Sequence, residues 1–145
     1  MAKKFPVITI TGPRQSGKTT LCKSVFSQYA CVSLENPDTR EFAQSDPKGF
    51  LDTYTGNLII DEAQHVPELF SYIQGIVDEK KQTGQFILSG SQNFLLLEKI
   101  SQSLAGRVYV FHLLPLSYAE LKNENVKDLK DAIFYGGYPR LFDAN

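Results

Sequence analysis

The sequence GPRQSGKT occupies residues 12–19 and follows directly on FPVITIT, residues 5–11. The preceding run is short, rich in β-branched residues and closed by a glycine, which predicts a buried strand. Residues 19–28 place Leu21 and Val25 on one face, which predicts a helix. The octapeptide matches G-x-x-x-x-G-K-[ST] in full and lies between strand and helix, where this motif belongs. It therefore predicts a phosphate-binding loop.

The chemistry of such a loop assigns a role to each part of it. Its glycines let backbone N–H groups surround phosphate oxygens, and the helix N-terminus adds partial positive charge. Lys18 is expected to reach the β- and γ-phosphates, and the Thr19 hydroxyl to bind Mg²⁺. The candidate nucleotide-binding residues are Gly12, Pro13, Arg14, Gln15, Ser16, Gly17, Lys18, Thr19 and Thr20.

A second apolar strand, predicted over Leu58–Ile60, runs into two adjacent carboxylates. Such a pair alone is more often a solvated turn, but after a phosphate loop it predicts a catalytic pair. We expect Asp61 to hold Mg²⁺ through water, and Glu62 to orient and deprotonate an attacking water. The second acid favours hydrolysis over phosphoryl transfer to a small molecule.

The rest of the chain alternates between predicted strands and helices. Three further strands are predicted over 30–34, 85–88 and 108–113, and helices over 38–50, 66–81, 93–104 and 128–135, with a short one opened by the capping box Ser117-x-x-Glu120. Such alternation predicts an α/β fold with a mostly parallel sheet and helices on both faces. The polar residues after strands one, three and four should meet at the carboxyl edge of that sheet.

Composition sets the class of protein. The chain has 145 residues and a net charge of −1, so charge does not indicate a nucleic-acid or membrane partner. No apolar run is long enough to span a bilayer, and the N-terminus lacks a signal-peptide pattern, so we expect a cytoplasmic protein. Cys22 and Cys31 are expected to be free thiols.

Several phosphate-loop classes fit less well. The stretch Leu88–Gln92 (LSGSQ) is similar to the ABC transporter signature, but it lies downstream of Asp61-Glu62 rather than upstream. The guanine-reading and switch motifs of GTPases are missing, and a small-molecule kinase would not need the Asp-Glu pair. The sequence DEAQ at 61–64 is similar to the DEAD/DEAH box of superfamily-two helicases. Those helicases, however, have a longer interval between the phosphate loop and this box, and they have a second motor domain.

The chain resembles the AAA+ superfamily of P-loop ATPases. More narrowly, it is similar to prokaryotic predicted ATPases that carry an N-terminal AAA domain and a C-terminal domain of unknown function. The segments that carry the resemblance span nearly the whole chain: GPRQSGKTTL (12–21), LENPDTREFAQSDPKGFL (34–51), LIIDEAQHVPELF (58–70), FILSGSQNFLL (86–96) and SLAGRVYVFHLLPLSYAEL (103–121).

The resemblance implies a three-layer αβα P-loop NTPase fold of the ASCE/AAA+ type, with five mostly parallel strands in the order 5-1-4-3-2. Ser91 is then the first choice for a catalytic sensor 1 residue, with Ser89 and Gln92 as alternates. Arg107 lies where an arginine finger would reach a neighbouring subunit, or else forms a local salt bridge. Asn36 lies where some members restrain the catalytic glutamate, though Asn-Pro is also an ordinary turn.

The same resemblance implies Mg²⁺-dependent binding and hydrolysis of ATP, coupled to conformational change in a larger protein. Residues 1–135 are expected to form the nucleotide-binding core, and 136–145 the start of a linker to a lid or C-terminal domain that this chain lacks. The expected partners are ATP or ADP with Mg²⁺, an unknown protein and, in a longer form, further copies of the protein. Two alternatives stay open: a nucleotide-operated binding module with little turnover, and a helicase-like, nucleic-acid-dependent ATPase.

Overall fold

The computed structural model describes residues 1–91, 94–121 and 128–141. Within them, five parallel strands form one sheet in the order β2-β3-β4-β1-β5, which confirms the predicted order. The strands are β1 Val7–Gly12, β2 Ala30–Ser33, β3 Leu58–Asp61, β4 Phe86–Ser91 and β5 Val108–His112.

Helices lie between successive strands along the chain. They are α1 Lys18–Val25, α2 Pro37–Ser45, α3 Pro47–Asp52, α4 Leu69–Lys80, α5 Phe94–Ser103, α6 Tyr118–Leu121 and α7 Leu129–Tyr135. Short 3₁₀ turns cover Ala63–His65 and Pro139–Leu141. The predicted capping box is present, because the Ser117 N–H donates to the Glu120 carboxylate at 2.8 Å.

The apolar side chains of the strands form two cores, one on each face of the sheet. On one face Ile8, Ile59 and Ile87 pack with Cys22 of α1. The opposite face carries the larger cluster, which includes Val7, Leu58, Ile60 and Leu88 of the strands with Phe50, Leu69, Phe70 and Ile73 of the helices. The fold is therefore the predicted α/β sandwich of three layers.

Three predicted boundaries are wrong by three residues. Helix α1, predicted to end at 28, ends at Val25, and the other two errors lie near the site. The strand predicted over 85–88 continues to Ser91, because Ser89, Gly90 and Ser91 pair with the last three residues of β1. The helix predicted from Val66 begins at Leu69, because residues 66–68 form a turn with i to i+3 hydrogen bonds. Both differences lie at the carboxyl edge of the sheet.

That edge gathers the ends of the central strands. Gly12 at the end of β1 lies in register with Ser91 at the end of β4, and Asp61 of β3 with Ser33 of β2. Ligands of open α/β sheets bind at this edge. The register therefore places the phosphate loop, the two acids and the tip of β4 together.

The C-terminal part of the described chain returns to the sheet. The Leu116 N–H donates to the Gly137 carbonyl at 2.7 Å, which holds residues 136–137 against the segment after β5. The boundary expected between 135 and 136 stays a prediction, and 142–145 lie outside the described residues. None of the described helices has the length and apolar character needed to cross a membrane.

Candidate functional site

The loop between β1 and α1 has the backbone geometry of a phosphate cradle. Gly17 adopts the left-handed conformation (φ 87°) directly before α1, and Gln15 does so as well (φ 62°). A Cβ atom on Gly12 would lie 2.1 Å from the Leu113 carbonyl oxygen, so only glycine fits there. The first N–H groups of α1 have no partner within the helix and are available for an anion.

Lys18 lies folded against its own loop. Its Nζ donates to the carbonyl oxygens of Pro13 at 2.6 Å and Gly12 at 3.2 Å, and the residue is only 5% exposed. Burial lowers the pKa of the Lys18 ammonium, although the charges of Glu62 and Asp61 oppose that shift. The ammonium is therefore held inside the loop by weak neutral acceptors, which a phosphate could replace.

Two motifs that are distant in sequence meet at Asp61. The Thr19 hydroxyl donates to Asp61 Oδ2 at 2.9 Å, and the Ser89 hydroxyl donates to Asp61 Oδ1 at 2.6 Å. A hydroxyl and a carboxylate oxygen are the ligand types that Mg²⁺ prefers. Thr19 and Asp61, the predicted metal residues, thus fit a magnesium ion by their chemistry and their proximity.

Glu62 has an unusual backbone. Its backbone lies in the left-handed region (φ 55°, ψ 41°), which residues other than glycine rarely adopt. Strained conformations of this kind persist where the surroundings enforce them, and they are concentrated at functional sites. Here Glu62 lies between the end of β3 and the 3₁₀ turn Ala63–His65. That turn brings Gln64 back towards Glu62.

Gln64 connects Glu62 to the tip of β4. Its Nε2 donates to Glu62 Oε2 through a short hydrogen bond and lies 3.3 Å from Ser91 Oγ. Ser91, the predicted sensor, is thus connected to Glu62, the predicted catalytic acid, through the side chain of Gln64. Ser89, the alternate, contacts Asp61 instead. Gln92, the other alternate, lies outside the described residues.

Several of the predicted residues line two neighbouring pockets. One, of about 300 Å³, is lined by Gln15, Gly17, Lys18, Thr19, Thr20, Glu62, Pro139 and Arg140. The other, of about 500 Å³, is lined by Arg14, Gln15, Ser33, Glu35, Asp61 and Glu62. Both share Gln15 and Glu62. Ser16 lies beneath the loop, and its buried hydroxyl has no partner among the described residues.

Three contributions to this site were not assigned from sequence. Gln64 was taken only as part of a helicase-like box, and the bond of Ser89 to Asp61 was not foreseen. Arg140, which lines the same pocket as Gly17 and Lys18, is the third. The Gly-Gly pair before Tyr138 is a sequence signal for the position of Arg140, since glycines allow the chain to turn back towards the phosphate loop. Pro139 lies so close to that loop that a Cβ atom on Gly17 would be 3.7 Å from it.

Two residues considered in the sequence lie elsewhere. The Asn36 side chain accepts from the N–H groups of Asp38 at 2.9 Å and Thr39 at 3.2 Å, so it caps α2, and Gln64 is the residue that contacts Glu62. Arg107 precedes β5, at the amino edge of the sheet, and pairs with Asp78 at 2.5 and 2.8 Å. Within one chain Arg107 therefore makes the local salt bridge, and any contact with a neighbour's phosphate stays a prediction.

Comparisons with known proteins identify the family of this chain. A family model described as an AAA domain matches residues 4–122. Uncharacterized proteins of Mycobacterium bovis and Mycobacterium tuberculosis are each 37% identical to the chain over 144 residues. The matches cover 97% of this chain and 32% of each relative, so the chain spans about a third of the relatives' length.

A solved structure has the same fold. The Walker-type ATPase PABY2304 of Pyrococcus abyssi superposes with a TM-score of 0.62 at 16% identity, covering 95% of this chain and 61% of that one. At that identity the likeness concerns the fold.

Proposed function

This chain belongs to the AAA domain family, and on that premise we propose that it binds ATP with Mg²⁺ and hydrolyses it. The observation that carries the proposal is the 2.9 Å hydrogen bond between Thr19 of the phosphate loop and Asp61 of β3. It brings together, at the carboxyl edge of the sheet, the two motifs that would form a magnesium nucleotide site. The preference for ATP over GTP rests on the family resemblance and on the absence of a guanine-reading motif from the sequence.

The loop residues would bind and orient the triphosphate. The N–H groups at the start of α1 would donate to phosphate oxygens, and Lys18 would exchange its two loop carbonyls for the β- and γ-phosphates. Mg²⁺, when bound, would neutralise charge on those phosphates. Thr19 and Asp61 would hold it, with Ser89 fixing the second Asp61 oxygen.

Glu62 would act on the attacking water. As the water oxygen bonds to the γ-phosphorus and the bond to the β-phosphate oxygen breaks, Glu62 would accept the water proton. Its carboxylate lines both pockets, which gives it access to the place where the γ-phosphate would end. Ser91, at the tip of β4, would approach the same group.

We further propose that hydrolysis changes the conformation of a larger protein. The match covers 32% of each relative, so the relatives are about three times as long as the matched part. The identity of the moved element or partner protein is left to experiment. A contribution of Arg107 to a neighbour's site would require assembly of several copies, because Arg107 lies at the opposite edge of its own sheet.

The test is phosphate release with MgATP in the protein that carries this domain. We expect Glu62→Gln to lower kcat by about 10²–10⁴-fold, the range for loss of a general base, while ATP still binds. Glu79→Gln, on the exposed face of α4, is the matched control and should leave kcat unchanged.

Unchanged turnover in Glu62→Gln would contradict the role of Glu62. Tight ATP binding with no phosphate release from the unaltered protein would instead support a nucleotide-operated binding module.

A further inference from the structure

The side chain of Gln64 bridges two elements of the candidate site. Its Nε2 donates to Glu62 Oε2 and lies 3.3 Å from Ser91 Oγ, so one amide group contacts the ends of β3 and β4. Only the NH₂ end of the amide can face a carboxylate, since its oxygen would be repelled. The orientation of Gln64 is therefore fixed by chemistry.

The backbone around Gln64 is built to hold it in this place. Glu62 is left-handed, and the 3₁₀ turn that follows is closed by a bond from the His65 N–H to the Glu62 carbonyl at 3.0 Å. Ala63, the first residue of this turn, and Val66, which follows it, are 1% and 0% exposed. A turn anchored by buried residues presents Gln64 to Glu62 with little freedom to move.

The other end of the amide gives up a hydrogen bond. Gln64 Oε1 is buried and has no hydrogen-bond partner among the described residues. A buried, unpaired carbonyl oxygen costs stability. The hydrogen bonds of this amide are therefore all made by Nε2, to Glu62 and to Ser91.

Glu62 also has a second neighbour, His65, that competes with Gln64 for its carboxylate. His65 Nε2 lies 3.3 Å from Glu35 Oε2, and one ligand atom from each of Glu35, Glu62 and His65 lies within 4.8 Å of the others. Without the amide donor, the Glu62 side chain could turn towards His65. The Gln64 bond selects one orientation of the carboxylate.

We propose that Gln64 is a positioning residue for hydrolysis. It holds the Glu62 carboxylate in the orientation that meets the attacking water, and it links that orientation to Ser91 at the tip of β4. Because Ser91 accepts from Gln64, its own hydroxyl hydrogen is left to donate to the γ-phosphate. The occupancy of the phosphate site and the aim of the catalytic acid are thereby coupled through one side chain. This inference rests on the proposed function.

The experiment compares steady-state ATP hydrolysis and ATP affinity in variants of the protein that carries this domain. Gln64→Ala removes the bridge, and Gln64→Glu keeps nearly the same shape while replacing the donor by a repelling carboxylate. We expect both to lower kcat by about tenfold or more, as loss of a supporting hydrogen bond to a functional group does. The dissociation constant for ATP should stay within about twofold, because Gln64 lines neither pocket.

The matched control is Gln102→Ala. Gln102 Nε2 donates to Glu98 Oε1 at 3.3 Å on the surface of α5, so it loses the same type of hydrogen bond away from the site. Its kcat should equal that of the unaltered protein. A double-mutant cycle of Gln64→Ala with Ser91→Ala should be non-additive, with the double variant close to the slower single variant.

The outcomes separate this inference from the proposed function. Turnover that depends on Glu62 but is unaffected by Gln64→Ala or Gln64→Glu would overturn the inference and leave the proposed function intact. A fall in kcat accompanied by weaker ATP binding and a lower melting temperature would also overturn it, since this combination indicates a purely structural role. An unaltered protein with no Glu62-dependent turnover would overturn both.

Discussion

The Asp61 carboxylate receives a separate hydrogen bond at each oxygen, from Thr19 at Oδ2 and from Ser89 at Oδ1. It is also 7% exposed, so water does little to orient it. Fixed outer partners of this kind orient metal-binding carboxylates and tune their affinity. Among single residues, Ser89 therefore supports the candidate metal site, whereas Ser91 is connected through Gln64 to Glu62, the proposed catalytic acid.

Ser89→Ala tests this division. It leaves Asp61 Oδ1 without its donor, so we expect the Mg²⁺ concentration for half-maximal hydrolysis to rise about tenfold. Ser91→Ala, two residues along the same strand, should lower kcat without changing that Mg²⁺ concentration. Titration of hydrolysis with Mg²⁺ at saturating ATP measures both, with melting curves to confirm folding. A larger Mg²⁺ requirement in Ser91→Ala than in Ser89→Ala would reverse the assignment.

At this scale, the sequence allowed the loop residues and Asp61-Glu62 to be predicted because each role is tied to a fixed spacing and to a position at the end of a strand. The part played by Gln64 could not be predicted in this way. It depends on the left-handed backbone of Glu62, which no residue type at that position signals. The close return of Arg140 depends likewise on packing between distant segments.

Strands and helices were predicted where their patterns were strong, and their boundaries failed where tertiary contacts decided. β4 extends through Ser89-Gly90-Ser91 because β1 offers a partner as far as Gly12. Small polar residues do not favour a strand by themselves. The pairing thus supplies what local preference lacks, and it carries the two serines to the site.

Between elements, the ion pair of Asp78 on α4 with Arg107 before β5 predicts a pH-dependent contribution to stability. The hydrogen bond from Arg107 holds the pKa of the Asp78 carboxyl below its ordinary value of 3.8 and raises the pKa of Arg107. Since the folded-state pKa of Asp78 is the lower one, the pair stabilises the fold at neutral pH. That contribution is lost as the pH falls through this lowered pKa.

Urea unfolding of Arg107→Gln measures this effect. The difference in unfolding free energy from the unaltered protein should be small at neutral pH, as for exposed ion pairs, and should disappear in acid once Asp78 is protonated. Asp78→Asn should behave in the same way. A difference that persists unchanged in acid would show that Arg107 stabilises the fold by other contacts.

For the whole molecule, the parallel sheet and its order follow from a few strong constraints: alternating strands and helices, right-handed crossovers, and a family resemblance that specifies the order. What surrounds the domain could not be read in the same way. Ile133 and Phe134 of α7 are 74% and 83% exposed, and an apolar groove of about 680 Å³ runs beside α1 and β5. Large exposed apolar patches are typical of contact sites, but no local sequence pattern identifies a partner for these residues.

We propose that this fold binds a magnesium nucleotide through the ammonium of Lys18 and the loop around it. Calorimetric titration of MgATP into the protein, into Lys18→Ala and into Lys23→Ala tests it most directly. Lys23 lies in the last turn of the same helix and is exposed, so its replacement is the matched control. We predict saturable binding that Lys23→Ala preserves and Lys18→Ala weakens by about ten- to a hundredfold, the value of a hydrogen-bonded charge. Absence of binding heat in the folded, unaltered protein, or equal affinity in Lys18→Ala, would contradict the claim.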